Sequence, residues 1–343
     1  VEHLIERGAT ASSHVLAAAG LTERLQVMLE ADCDEAIAKG GDGCHPLHFA
    51  RNVVTARLLI DYGAELDHRD DDHDSTPAQW RIKQAPEVVR MLIKFGAEAD
   101  IFLAAGLGDL PLAERLIRDD PECVSQRIGH NSGPFPGIGY KARGGSIYQW
   151  TLGFNLSPHE VGLKFGHVDL FDFLMAHSSE TTMFLVACML GDREMAQGIQ
   201  WEQEDIVANL CDEDLALMAK SCWETNLNPV AVRLMLDLGF PVDHPELNHG
   251  YTALHNAAWC GDADLVGLLI ERGHPVDLKD PNHDSTPLGW AIHSRFEGQR
   301  HPNGAFAKVI EILLANGAAF DPTKYPLGDD AIDRVLEAHL KEA

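Results

Sequence analysis

Apolar residues recur three and four positions apart along most of the chain, and the segments they define come in pairs. This periodicity predicts helix pairs at about residues 11–32, 43–63, 75–96, 100–119, 155–177, 181–201, 212–239, 250–273 and 285–317, with Val1 to Gly8 a half-pair. Segments 14–31, 101–120 and 182–199 keep the helical pattern but lack Thr-Pro, so shortened turns are expected there. The second helices end alike: Leu58-Leu-Ile-Asp-Tyr-Gly-Ala64, Leu92-Ile-Lys-Phe-Gly-Ala97, Leu234-Met-Leu-Asp-Leu-Gly239, Leu268-Leu-Ile-Glu-Arg-Gly273 and Ile312-Leu-Leu-Ala-Asn-Gly-Ala318. The glycines fall 33 residues apart (Gly63, Gly96) and 34 apart (Gly239, Gly273), a period that belongs to stacked supersecondary units. In the tail from Gly328 to Lys341, Ile332, Leu336 and Leu340 form one apolar stripe, as a polar-faced terminal cap requires. The start carries no such cap, and either preceding residues or a partner is expected to cover it.

One passage occurs twice, 210 residues apart: His73-Asp-Ser-Thr-Pro-Ala-Gln-Trp80 and His283-Asp-Ser-Thr-Pro-Leu-Gly-Trp290. Thr before Pro can cap a helix whose first position tolerates proline, and Gly after the second helix permits a left-handed end. His45-Pro-Leu-His-Phe-Ala50, Thr252-Ala-Leu-His-Asn-Ala257 and Thr286-Pro-Leu-Gly-Trp-Ala291, with Ser157-Pro-His-Glu-Val-Gly162 as a weaker copy, resemble the T-P-L-H-x-A motif of the ankyrin-repeat family, here as divergent, bacterial-type repeats with an inserted loop. The resemblance implies an all-α solenoid of about nine to ten stacked helix pairs joined by hairpin-like turns, approaching ~90 Å in arc at ~8–10 Å per layer. It also implies that His48 and His255 are buried groups linking turns, and that Trp80 and Trp290 face the core. The expected divisions are N-terminal repeats at 1–121, an inserted loop at 122–150, C-terminal repeats at 151–321 and a capping helix at 322–343.

With 27 basic and 53 acidic residues the formal charge is −26, which opposes nucleic acid. The apolar content of 45% with 23% charged residues suits a folded chain. The apolar runs are too short for a bilayer, no leader is visible, and seven scattered cysteines without a C-x-x-C pair fit a reducing compartment, so a cytoplasmic location is expected. No catalytic constellation, zinc spacing or cofactor motif emerges from the eighteen histidines or elsewhere. Asp70 to Ser75 and Asp280 to Ser285 imitate half a calcium loop, but Arg81 and Ala291 replace its terminal glutamate, and turn-forming tips that display negative charge are expected instead. Gly137 to Ala142 fits a dinucleotide fingerprint only formally, since no strand precedes it.

From Cys123 to His159 there is no acidic residue, and the stretch holds Phe135, Tyr140, Lys141, Arg143, Tyr148 and Trp150 among many glycines. A basic, aromatic loop on an acidic scaffold is a candidate contact surface, though it can equally fold back on its own groove. By the family's pattern, Trp259, His293, Ser294, Lys83, Lys164 and Phe165 fall on the concave face, joined by Trp223. The leading expectation is a non-catalytic scaffold, monomeric by default, that binds a protein partner of basic character through this face, the turn tips and the loop. The alternative is a hydrolase, for example on a glycoside, with Glu160, His130 and His293 as acid/base candidates and Trp150 and Trp259 as stacking planes. Small-ligand binding without chemistry is a third reading.

Overall fold

The computed structural model describes residues 1–129, 146–224, 226–247, 249–298, 301 and 303–342. The regular structure among these residues is entirely helical. The chain divides into two compact units, Val1–Thr182 and Met183–Ala343, each with its own core.

In the first unit the helix pairs are Ser13–Ala19 with Thr22–Ala31, Pro46–Phe49 with Val53–Asp61, Pro77–Arg81 with Pro86–Lys94, Ile101–Leu107 with Leu110–Asp119, and Pro158–Lys164 with Val168–Ala176. The pair Glu180–Leu190 and Arg193–Glu202 opens the second set. It is followed by Leu217–Lys220 with Pro229–Asp237, Ala253–Cys260 with Ala263–Glu271, and Pro287–His293 with Phe306–Ala315, and then by the terminal helix Asp330–Glu342. That last helix buries Ile332 and Leu336, as the stripe predicts. Two pairs depart from expectation. The first member of 43–63 shrinks to a single 3-10 turn, because Asn52 is already committed to capping the next helix through the Thr55 N–H. The first member of 212–239 breaks into Asp212–Leu215 and Leu217–Lys220.

Local chemistry explains the starts and stops. Ser157 and Glu160 cap each other's backbone N–H groups, as do Thr76 and Gln79, each ahead of a proline at the first helical position. Gly63 and Gly273 close their helices at φ +95° and +93°, where a Cβ would be strained. His48 and His255 link successive turns. Nδ1 accepts the backbone N–H of His45 or Thr252, and Nε2–H donates to the carbonyl of Ser75 or Ser285.

The passage that occurs twice owes its form to one buried carboxylate. Asp280 accepts from the N–H groups of Asn282, His283 and Ser285, from His283 Nδ1 and, at 2.9 Å, from the Trp290 indole. Asp70 does the same with His73, Ser75 and, at 3.2 Å, Trp80. Burial alone would raise both carboxyls, but these donors outweigh it and hold them below the usual carboxylate range. These turns keep some acids at the surface, Asp71 and Asp284 among them, while Asp70 and Asp280 point inward and are saturated.

The described residues on either side of 130–145 are anchored. Ile128 and residues 155–156 exchange backbone hydrogen bonds of 3.0 Å, and Arg127 pairs with Glu160 at 2.7 Å, both side chains buried. Tyr148 is fully buried and donates to the carboxylate of Asp100, the N-cap of Ile101–Leu107. Burial raises the Asp100 carboxyl above its ordinary range.

Two outcomes test these arrangements. Tyr148→Phe should cost about 1–3 kcal/mol in urea unfolding, since Asp100 keeps its burial and loses a donor; an unchanged midpoint would show that the hydroxyl is not bonded there. Burial lowers His48, His159 and His255 from 6.5 to about 4. Between those values the unfolded chain takes up protons that the folded chain refuses, so stability is full above pH 6.5 and falls toward pH 4, by on the order of 3 kcal/mol for each ring. Urea midpoints that stay level from pH 7 to 4.5, above most carboxylate titration, would contradict it.

Candidate functional site

The densest gathering of chemistry lies in the second unit. Thr252 starts the helix Ala253–Cys260, Thr286 starts Pro287–His293, and the two helices pack side by side. This places Trp259 against Trp290 at 5.6 Å between ring centroids and against His293 at 5.7 Å. Trp223, from the turn after Leu217–Lys220, stacks on Trp259 at 6.2 Å and 17° between planes. Tyr251 meets Trp290 edge-on at 4.4 Å. Together with His283, Glu297, Lys324 and Leu327 they line a cleft of about 510 Å³, a size that suits a few side chains or a small ligand.

The cleft's walls are held from behind. Trp290 is fixed by Asp280, and the segment Ser294–Gly298 widens into a π turn. Ser294 turns inward there and donates to the Trp259 carbonyl at 2.7 Å. Arg295 makes two bonds, of 3.0 and 2.7 Å, to Asp329 at the start of the terminal helix. His293 and Glu297 face each other at 3.3 Å on the rim. The Trp259 indole N–H is buried and has no acceptor among the described residues.

Of the residues named from sequence, Trp223, Trp259 and His293 line this cleft and Ser294 supports it from behind. Lys83, Lys164, Phe165 and Trp150 belong to the first unit. Lys164 donates to the carbonyl of Leu152, and burial, with the charge of Lys83 beside it, lowers its pKa. Phe165 is half-buried against the core, whereas Trp150 is 70% exposed. Phe135, Tyr140, Lys141 and Arg143, and with them His130, lie outside the described residues. Glu160 is not a free acid: its Oε2 accepts from Arg127, the Ser157 N–H and the Ser157 hydroxyl.

Sequence reasoning missed Tyr251, His283, Glu297 and Lys324 as cleft residues, and it read Trp290 as core alone. Trp290 is both, buried and forming a wall. The available signal was the Tyr251-Thr252 step at the cap of a helix that also carries Trp259.

Residues 249–281, which include the Thr252 cap, His255 and Trp259, match the family model described as Ankyrin repeat. No curated protein matches the chain. Among solved structures the human ASB11 ankyrin repeat domain is similar over 91% of this chain and 100% of that chain, at 17% identity and a TM-score of 0.32. The matched repeat carries its cap, its linking histidine and its left-handed helix end in place, the histidine link occurs again at His48, and left-handed ends occur again at Gly63, Gly96, Gly239 and Gly317: the chain carries an ankyrin repeat at residues 249–281.

Proposed function

We propose that the chain is a non-catalytic interaction module whose second unit receives an aromatic or apolar side chain of a protein partner in the Trp223–Trp259–Trp290 cleft. Ankyrin repeats are generally protein–protein interaction modules. The observation that carries the finer reading is the stacked Trp223–Trp259 pair on the wall of that cleft. Indole planes supply contact area at low entropic cost. Lys83, Lys164 and Trp150 offer a separate surface on the first unit. The formal charge of −26 favours a partner of basic character. Among the described residues no helix is long and apolar enough to cross a membrane, and the seven free thiols support a reducing, cytoplasmic setting. The hydrolase reading loses its acid, because Glu160 is spent on a cap and a buried ion pair.

Peptides selected from a random displayed library against the intact chain test the proposal. Trp259→Ala and Trp223→Ala should each weaken the selected peptides about 10–100-fold while leaving the thermal midpoint nearly unchanged. Peptides that bind both variants as tightly as the parent chain would remove the cleft from the reading. Added salt should also slow association, since the attraction acts between exposed charges.

A further inference from the structure

His45 stands where Thr252 and Thr286 stand in their copies, at the residue before the first helix. It cannot simply replace the threonine. Thr252 Oγ1 lies 2.8 Å from both His255 Nδ1 and His274 Nε2, so its hydroxyl is fully engaged. His45 is 4% exposed, and its Nδ1 is buried without a partner among the described residues. Its ring instead lies flat on that of His68, from the next turn, with centroids 3.4 Å apart and planes 5° from parallel.

The hydrogen bonds of His68 sharpen the anomaly. Nε2 lies 2.9 Å from the Gly43 carbonyl, which only accepts, so Nε2 carries the proton. In the neutral ring Nδ1 is then a bare lone pair, yet it faces Glu65 Oε2 at 3.3 Å. Two electron-rich atoms hold that position well only with positive charge between them, either a proton on Nδ1 or a metal ion. Donation of the far ring N–H to a backbone carbonyl is also how metal-bound imidazoles are commonly oriented. Two ligands about 2.0–2.1 Å from a tetrahedral ion sit roughly 3.4 Å apart, close to the Nδ1–Oε2 separation seen here.

We propose that His45, His68 and Glu65 form a site for a divalent transition-metal ion of the zinc class. One ligand atom from each lies within 4.8 Å of the others. Two imidazoles and a carboxylate suit Zn²⁺ or Co²⁺ better than Ca²⁺ or Mg²⁺, which prefer oxygen ligands. Three protein ligands leave a fourth position for water or a partner's side chain. Coordination requires the two rings to splay from their parallel stack, with the exposed Glu65 swinging in last. The repeat fold does not itself call for this trio. Aligned on their caps and helix ends, the copy in the second unit has Thr252, Pro275 and Leu278 at the three positions. Sequence spacing gives no hint of the site because His45 and His68 lie 23 residues apart.

Titration of the full chain with Zn²⁺, followed by long-range ¹H–¹⁵N imidazole spectra, tests the site without interference from the other histidines. One equivalent should move Nδ1 of His68 and one ring nitrogen of His45 to the shift of a metal-bound nitrogen. His45→Thr and His68→Leu borrow residues that the other copy folds with, and each should weaken binding at this site by at least about 100-fold. Glu65→Gln, at an exposed position, should weaken it by about 10-fold and serves if either histidine variant melts early without metal. Rings of His45 and His68 that keep their shifts through several equivalents of Zn²⁺ would overturn the proposal, as would variants that bind as tightly as the parent chain.

Discussion

A hairpin turn leaves several backbone donors with no partner, and burying them uncompensated is costly. In both copies of the repeated passage a single inward carboxylate takes that load. Asp280 gathers its own turn's N–H groups together with the Trp290 indole, so the turn, the helix start at Thr286 and the orientation of one large ring are set by one group. Asp70 does the same for Trp80. The linking histidines then join one turn to the next, since His255 donates to Ser285 and His48 to Ser75. The layers that meet at these two turns are therefore positioned by polar bonds as well as by apolar packing between helices.

The cleft in the second unit is a by-product of that arrangement. Trp290 is immobilised by the turn, Trp259 rests against it, and Trp223 completes the stack. Support comes from elements distant in sequence, through Ser294 to the Trp259 carbonyl and through Arg295 to the terminal helix. Such backing separates a preorganised surface from a chance grouping of aromatic residues.

Much of this fold could be read from the sequence, because periodicity, Thr-Pro caps and terminal glycines are local signals. Apart from the first members of 43–63 and 212–239, the paired helices fall where the apolar rhythm puts them, and the terminal stripe buries Ile332 and Leu336. Trp223, Trp259 and His293 were reachable because stacking repeats makes equivalent positions neighbours. Side-chain direction was not reachable. Ser294 points inward because the helix widens into a π turn, and Glu160 is spent on a cap and on Arg127, which sits 33 residues before it. Tyr148 looks like part of an exposed aromatic loop, yet it serves as a donor to the buried Asp100. In each case the deciding partner is remote in sequence and polar, and no local pattern encodes it.

The lone indole N–H of Trp259 bears on how the cleft would tell its guests apart. That donor is already closed off from water before anything docks, so its cost of about 1–3 kcal/mol sits in the free chain, and an apolar side chain laid on these planes adds nothing to it. Relief would come only to a guest whose approach turns the ring far enough to bring an oxygen to the nitrogen. Flat ring faces would then admit the hydrocarbon, and an oxygen placed beside it would separate one guest from the next.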